Sequence, residues 1–114
     1  MCGLAGILQP TNTQVDWSLL KRMRDSLIHR GPDDAHSVVI DTQAGTVRSR
    51  NQNGTGNLGL GFRRLSILDL SLAGRQPMSN ADETIWLVFN GEIYNFLDIK
   101  KSQLSKIFNI VSFN

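Results

Sequence analysis

Met1-Cys2-Gly3-Leu4-Ala5-Gly6-Ile7-Leu8 opens the chain and begins its architecture. Gly3 to Leu8 is a short apolar run that reads as a buried strand. Its two glycines mark places where another backbone or a ligand must come close. Gln9 to Gln14 is polar and holds Pro10, so the chain turns there. Asp16 then stands as an N-cap for a helix from about Trp17 to Ile28. Leu20, Met23 and Leu27 share one face of that helix, with Trp17 and Leu19 flanking, and this stripe reads as core packing. The glycine and proline of His29-Arg30-Gly31-Pro32-Asp33-Asp34 end the helix, and the aspartates favour a turn.

Beyond the helix, Ser37 to Ile40 and Thr46 to Arg50 are short strand candidates around a turn at Asp41 to Gly45. Asn51 to Asn57 is rich in glycine and asparagine, which marks a loop. Leu58 to Asp69 resumes as strand, with a break near Arg63 and Arg64. Ser71 to Glu83 is irregular. Thr84 to Asn90 is the clearest strand, β-branched and aromatic in character. Asn95 is placed to cap a second helix from Phe96 to about Ile107, with Phe96, Ile99, Leu104 and Ile107 apolar. Phe108 to Phe113 reads as a further strand. Short strands in hairpin-like succession predict an α+β fold with antiparallel sheets.

The bulk numbers narrow the function. A chain of 114 residues with 40% hydrophobic content suits one small domain or a piece of a larger one. Twelve basic against ten acidic residues leave a net charge of +2, too little to argue for nucleic acid or a membrane surface. One cysteine excludes an intramolecular disulfide and a Cys-rich zinc site, and a lone thiol suits a reducing compartment, the cytoplasm. No metal site is expected. No apolar run approaches the roughly 20 residues of a membrane span, and no basic region precedes Gly3 as a signal peptide requires.

Three features carry chemistry. Cys2 is either a small buried hydrophobe or, once Met1 is cleaved, a nucleophile with a free α-amine. Such an amine titrates near pH 8, about where it can take a proton from its own thiol. Asn90-Gly91 is the strongest short signal for a type I′ hairpin turn. Equally, a strand end can present the Asn90 carboxamide and the Gly91 amide to one point as an oxyanion hole. Arg64 interrupts an apolar segment and must find an anionic partner or reach solvent. A bidentate clamp on a carboxylate is the natural use, and an ion pair with Asp69 or Glu92 is the structural alternative.

These segments occur in a recognisable order. Met1-Cys2-Gly3-Leu4-Ala5-Gly6-Ile7, His29 to Asp34, Arg64-Leu65-Ser66-Ile67-Leu68-Asp69, Gly74-Arg75-Gln76-Pro77-Met78 and Phe89-Asn90-Gly91-Glu92-Ile93-Tyr94-Asn95 follow at suitable spacing over residues 1 to 100. The chain resembles the N-terminal glutaminase domain of glutamine-hydrolysing asparagine synthetase, a class II glutamine amidotransferase of the N-terminal nucleophile hydrolase fold. That fold is an antiparallel β-sandwich flanked by helices, incomplete in this chain. The resemblance implies L-glutamine as substrate and Cys2 as the nucleophile that releases ammonia from it. It implies Asn90 and Gly91 as the oxyanion hole and Arg64 as the clamp on the substrate α-carboxylate, with Leu65, Ile67 and Glu92 lining the same pocket. For His29 to Asp34 it implies mainly a role in shaping the turn.

The chain also departs from that pattern. Many relatives carry histidine where this chain has Phe62. The family's Ser-Asp-Thr-Glu motif, whose aspartate holds the substrate amine, is expected just beyond Asn114, and Asp98 does not take its place. The synthetase domain that accepts the ammonia, with its ATP and Mg2+, is absent, so residues 1–114 are expected to be a partial amidotransferase domain with no cofactor of its own. Two alternatives stand beside this reading. One is an inactive truncated remnant; the other is a glutaminase serving a different amide-forming synthetase.

Overall fold

The computed structural model describes residues 1–44, 46–50, 55–67 and 71–102. A four-stranded sheet lies at its centre, made of β1 (Gly3–Leu8), β2 (Asp34–Asp41), β3 (Thr46–Arg50) and β4 (Leu58–Arg64) in the order β1-β4-β2-β3. All neighbours are antiparallel. The α+β reading with antiparallel sheets therefore holds. β4 ends at Arg64, where the sequence suggested a break, and its last residue stands opposite Asp34 while Arg63 stands opposite Gly3.

Helix α1 (Trp17–Asp25) covers one face of this sheet. Asp16 caps it as expected, its Oδ1 accepting the Ser18 and Leu19 N–H groups at 2.8 and 3.2 Å. Leu20 is fully buried between Val15 and Val39, with Ile7 and Trp17 packed around them. The helix comes this close because β4 carries glycine beneath it: a Cβ on Gly59 would lie 2.8 Å from Leu20 Cδ2 and 3.0 Å from Val15 Cγ1.

Two details of the stripe differ from expectation. Met23 is 36% exposed, and Arg24, at 7%, takes the inner position. Spacings of three and four both fit a helix face, and polar partners settle the choice. Arg24 Nη1 donates to Ser37 Oγ at 3.1 Å and its Nε and Nη2 fork the Asp25 carboxylate at 2.9 and 3.1 Å. The helix also stops at Asp25 rather than Ile28. Ser26 Oγ donates back to the Met23 carbonyl at 2.7 Å, and the next N–H groups of Leu27 and Ile28 bond three residues back, tightening the turn. β1 was expected to be buried, yet only the residues facing α1 are covered, and Leu4 and Leu8 are exposed.

Residues 71–102 form an arm beside the sheet. A 3-10 turn at Leu72–Gly74 leads to β5 (Met78–Ser79), which pairs antiparallel with β6 (Trp86–Leu87). The segment Thr84 to Asn90, the clearest strand by composition, thus forms a ladder at two residues only. Propensity reports fit to a pleated surface, but a ladder requires backbone opposite, and β5 is two residues long. Helix α2 (Phe96–Lys101) follows, with Asn95 at its N-cap position but without a side-chain cap bond. Leu104, Ile107, the strand expected over Phe108 to Phe113, Asp69 and most of the loop Asn51 to Asn57 lie outside the described residues.

Candidate active site

Cys2 precedes β1, and its surroundings follow from strand register. Because Gly3 faces Arg63, the residues just past the two strand ends meet. The Leu65 N–H donates to Cys2 Sγ at 3.3 Å, and the thiol faces the Leu65 carbonyl oxygen at 3.8 Å. The Cys2 carbonyl oxygen accepts two further bonds, from Arg30 Nε and Asn90 Nδ2, each at 3.1 Å. Three segments distant in sequence therefore converge on Cys2.

The backbone at Asn90-Gly91 does not form the hairpin turn. A type I′ turn needs positive φ at both central residues, whereas the non-glycine residue with positive φ among the described residues is Glu83. The chain runs on from Gly91 into α2 instead of turning into a strand. The Asn90 carboxamide is thus turned toward Cys2, and an amide NH2 with one donor engaged retains a second. Gly91 lies close to its neighbour: a Cβ there would sit 2.9 Å from Cζ of the Phe89 ring.

Arg64 stands half-buried at the end of β4 and its Nη1 donates to the Ser71 carbonyl oxygen at 2.6 Å. Asp69, one of the partners considered for it, lies outside the described residues. Leu65 reaches Cys2 through its backbone. Ile67 is 72% exposed and Glu92 is exposed, and neither makes a hydrogen bond to Cys2 among the described residues.

Three participants were not legible as such. Arg30, in a segment whose sequence reads as a turn, holds the Cys2 carbonyl. Asp33 fastens the Leu65 to Ile67 segment: its Oδ2 accepts the Ser66 N–H at 2.7 Å, and its N–H donates to the Arg64 carbonyl oxygen at 3.0 Å. Gly31 makes that approach feasible, since a Cβ would lie 2.4 Å from the Arg63 carbonyl carbon and oxygen. The dense Arg-Gly-Pro-Asp-Asp run was the available signal, and shaping of the turn is what Gly31 does.

Charge is arranged around the site by ion pairs. Burial pushes the Asp34 carboxyl up, but the hydrogen bond and charge of Arg75, with Nε 2.8 Å from Oδ2, outweigh it and hold Asp34 below the usual carboxylate range. On the helix side, the hydrogen bond from Arg24, backed by the charges of Arg24 and Arg63, lowers Asp25 against a smaller opposing effect of burial. Among the described residues no three His, Cys, Asp or Glu side chains gather where they could hold a metal ion. No helix among them is long and apolar enough to cross a membrane. A polar hollow lined by Thr11, Asn12, Gln14, Asp41 and Thr55 lies at the opposite end of the sheet from Cys2.

A thiol that accepts a backbone N–H, with a side-chain amide on the carbonyl of the same residue, has the group types that acyl transfer uses. Sulfur attacks a carbonyl carbon while the donors meet the oxygen as it gains charge.

Comparison with known proteins agrees with this chemistry. The chain is 39% identical to asparagine synthetase [glutamine-hydrolyzing] 2 of Bacillus subtilis over 98% of its own length and 13% of that protein's. It is 36% identical to asparagine synthetase [glutamine-hydrolyzing] 1 of the same organism, over 93% of this chain and 15% of the relative. A putative asparagine synthetase [glutamine-hydrolyzing] 1 of Methanocaldococcus jannaschii is 36% identical over 89% of this chain and 19% of its own length. The chain thus spans less than a fifth of each of these relatives. No solved structure gives a significant match. Residues 1–110 match the glutamine amidotransferase domain, and the chain belongs to that family.

Proposed function

We propose that this chain is the glutaminase part of an asparagine synthetase-like protein, with Cys2 as the nucleophile. The observation that carries this reading is that one residue, Cys2, is held from two sides, its thiol by the Leu65 N–H and its backbone carbonyl by the Asn90 carboxamide. Met1 is 73% exposed, so a processing enzyme can reach the bond before Cys2. Removal of Met1 frees the Cys2 amine, which takes the thiol proton. Sulfur then attacks the side-chain carbonyl carbon of L-glutamine and the C–N bond breaks. Ammonia leaves with the transferred proton, and water hydrolyses the remaining glutamyl thioester to glutamate. Asn90 and Gly91 donate to the oxygen during both steps. Arg64 clamps the α-carboxylate, and Leu65, Ile67 and Glu92 line the pocket.

In this reading the four-stranded sheet is one layer of an N-terminal nucleophile hydrolase sandwich. Residues 1–114 are then part of an amidotransferase domain, and the ammonia passes to a synthetase domain that amidates aspartate in the cytoplasm. ATP and Mg2+ serve that synthetase domain, and no residue of this chain is assigned to them.

Glutamate release from glutamine by the purified protein tests the proposal. Cys2→Ala is expected to abolish release while leaving the circular dichroism spectrum unchanged. Retention of Met1 by intact-mass measurement in an active protein would overturn the amine-base step, and a fully active Cys2→Ala would overturn the whole reading.

A further inference from the structure

One segment, Gly74-Arg75-Gln76-Pro77-Met78, has no part in the chemistry above, yet two of its side chains reach toward the site. Gln76 Nε2 donates to the Phe89 carbonyl oxygen at 2.9 Å, and the Phe89 N–H donates to Gln76 Oε1 at 2.5 Å. A side-chain amide thereby satisfies both backbone groups of the residue that precedes Asn90.

Register explains why a side chain does this. β5 pairs Met78 with Leu87 and Ser79 with Trp86, and the same register continued would set Pro77 opposite Val88 and Gln76 opposite Phe89. Proline has no N–H to give, so the backbone ladder cannot continue through it. The Gln76 carboxamide has the donor and acceptor of a peptide group, and it takes over the ladder at Phe89. The next residue along, Asn90, is the one whose carboxamide bonds the Cys2 carbonyl, and the Phe89 ring lies against Gly91. Arg75, the neighbour of Gln76, forks Asp34 at the start of β2 through Nε at 2.8 Å and Nη2 at 3.4 Å. Asp34 stands opposite Arg64. Two adjacent side chains therefore tie the arm on one side and the sheet end on the other.

We propose that Gln76 is the positioning residue of the oxyanion hole: its carboxamide holds the Phe89 backbone so that Asn90 and Gly91 present their N–H groups to the oxygen of the substrate bound at Cys2. This rests on the glutaminase reading above. Gln76 touches no reacting atom. It acts in the transition state because the donors it places are needed most when the oxygen carries charge, so its removal lowers kcat rather than raising KM.

The test uses the purified, Met1-processed protein and two variants. Gln76→Met removes both bonds; Gln76→Glu keeps the size and the acceptor but loses the donor. Loss of a single oxyanion donor costs on the order of 100-fold or more in kcat. Displacement of the donors is expected to cost about 10- to 100-fold, with KM for glutamine changed less than about threefold. Affinity for the γ-aldehyde of glutamate, whose carbon takes the Cys2 sulfur while its oxygen gains the proton, is expected to fall by the same factor. Affinity for glutamate, which forms no such adduct, is expected to stay. Rates are normalised to the folded fraction from near-ultraviolet circular dichroism. Unchanged kcat, equal losses for aldehyde and glutamate, or unfolding of both variants would overturn the proposal, the last because Gln76 would then serve the fold. Glutamate release that persists in Cys2→Ala would instead overturn the glutaminase reading itself.

Discussion

Gly31→Ala is the substitution whose consequence the structure fixes most tightly. The new Cβ would lie 2.4 Å from the carbonyl carbon and oxygen of Arg63 and 2.7 Å from the Arg64 nitrogen. These are backbone atoms of a central strand and cannot swing aside as a side-chain tip can. The φ of Gly31 lies outside the left-handed region, so the penalty is contact and not conformation. Overpacking of this kind costs about 1–3 kcal/mol. If the turn backs away from β4, three bonds stretch: Arg30 to the Cys2 carbonyl at 3.1 Å, Asp33 N–H to the Arg64 carbonyl at 3.0 Å, and Ser66 N–H to Asp33 at 2.7 Å. At roughly 1 kcal/mol net for each bond, the combined loss is about 3 kcal/mol or more. For a domain of this size that is about 12 °C in Tm, taking about 4 °C per kcal/mol. Urea unfolding, followed by tryptophan fluorescence, measures it.

Gly6→Ala is the internal control. Its Cβ meets nothing closer than 3.7 Å, from the Gly59 oxygen and Leu60 Cδ2. The same glycine-to-alanine change there is expected within about 1 kcal/mol of the parent, on the stabilising side, through the unfolded chain alone. Equal stabilities of Gly31→Ala and Gly6→Ala would refute the close approach of the turn to β4. So would an unchanged rate of glutamate release in Gly31→Ala.

Two further outcomes follow from burial and charge. Leu20→Ala empties the fully buried position between Val15 and Val39 and is expected to cost about 2–5 kcal/mol in urea unfolding. Met23→Ala, one turn away on the exposed side, should cost under about 1 kcal/mol. For Asp34, the folded carboxyl lies below its unfolded value because Arg75 outweighs burial. Its stabilisation is therefore present above the unfolded value near pH 4, about where free carboxylates titrate, and is lost as pH falls through the folded value. Arg75→Met is expected to flatten the acid-side fall in Tm between about pH 5 and 3, since removing the guanidinium leaves burial to act against the charge. An unaltered acid limb would mean that the pair contributes nothing.

Local chemistry was enough to read several elements. Gly3 to Leu8 forms a strand with the expected bounds, Asp16 caps the first helix, and β4 breaks at Arg64, because apolar runs, a capping carboxylate and paired arginines act over a few residues. The order of its motifs was likewise enough to place the chain in its amidotransferase family. Elsewhere one-dimensional evidence was ambiguous or misleading. Met23 and Arg24 both fit the inner stripe of α1, and only Ser37 and Asp25, brought near by the fold, select Arg24. Thr84 to Asn90 has strong strand composition, but a ladder needs a partner, and its partner strand offers two residues before Pro77 withholds its N–H.

The opening Met1 to Leu8 by itself determined a thiol at position two and a strand behind it. It could not say what that thiol faces. Strand register alone brings Leu65 to its sulfur, and the packing of the turn and the arm brings Arg30 and Asn90 to its carbonyl. Contacts across tens of residues depend on how many ångströms two backbones can close. That distance was set by a missing Cβ at Gly31 and a carboxamide at Gln76, features whose meaning appears only once their neighbours are in place.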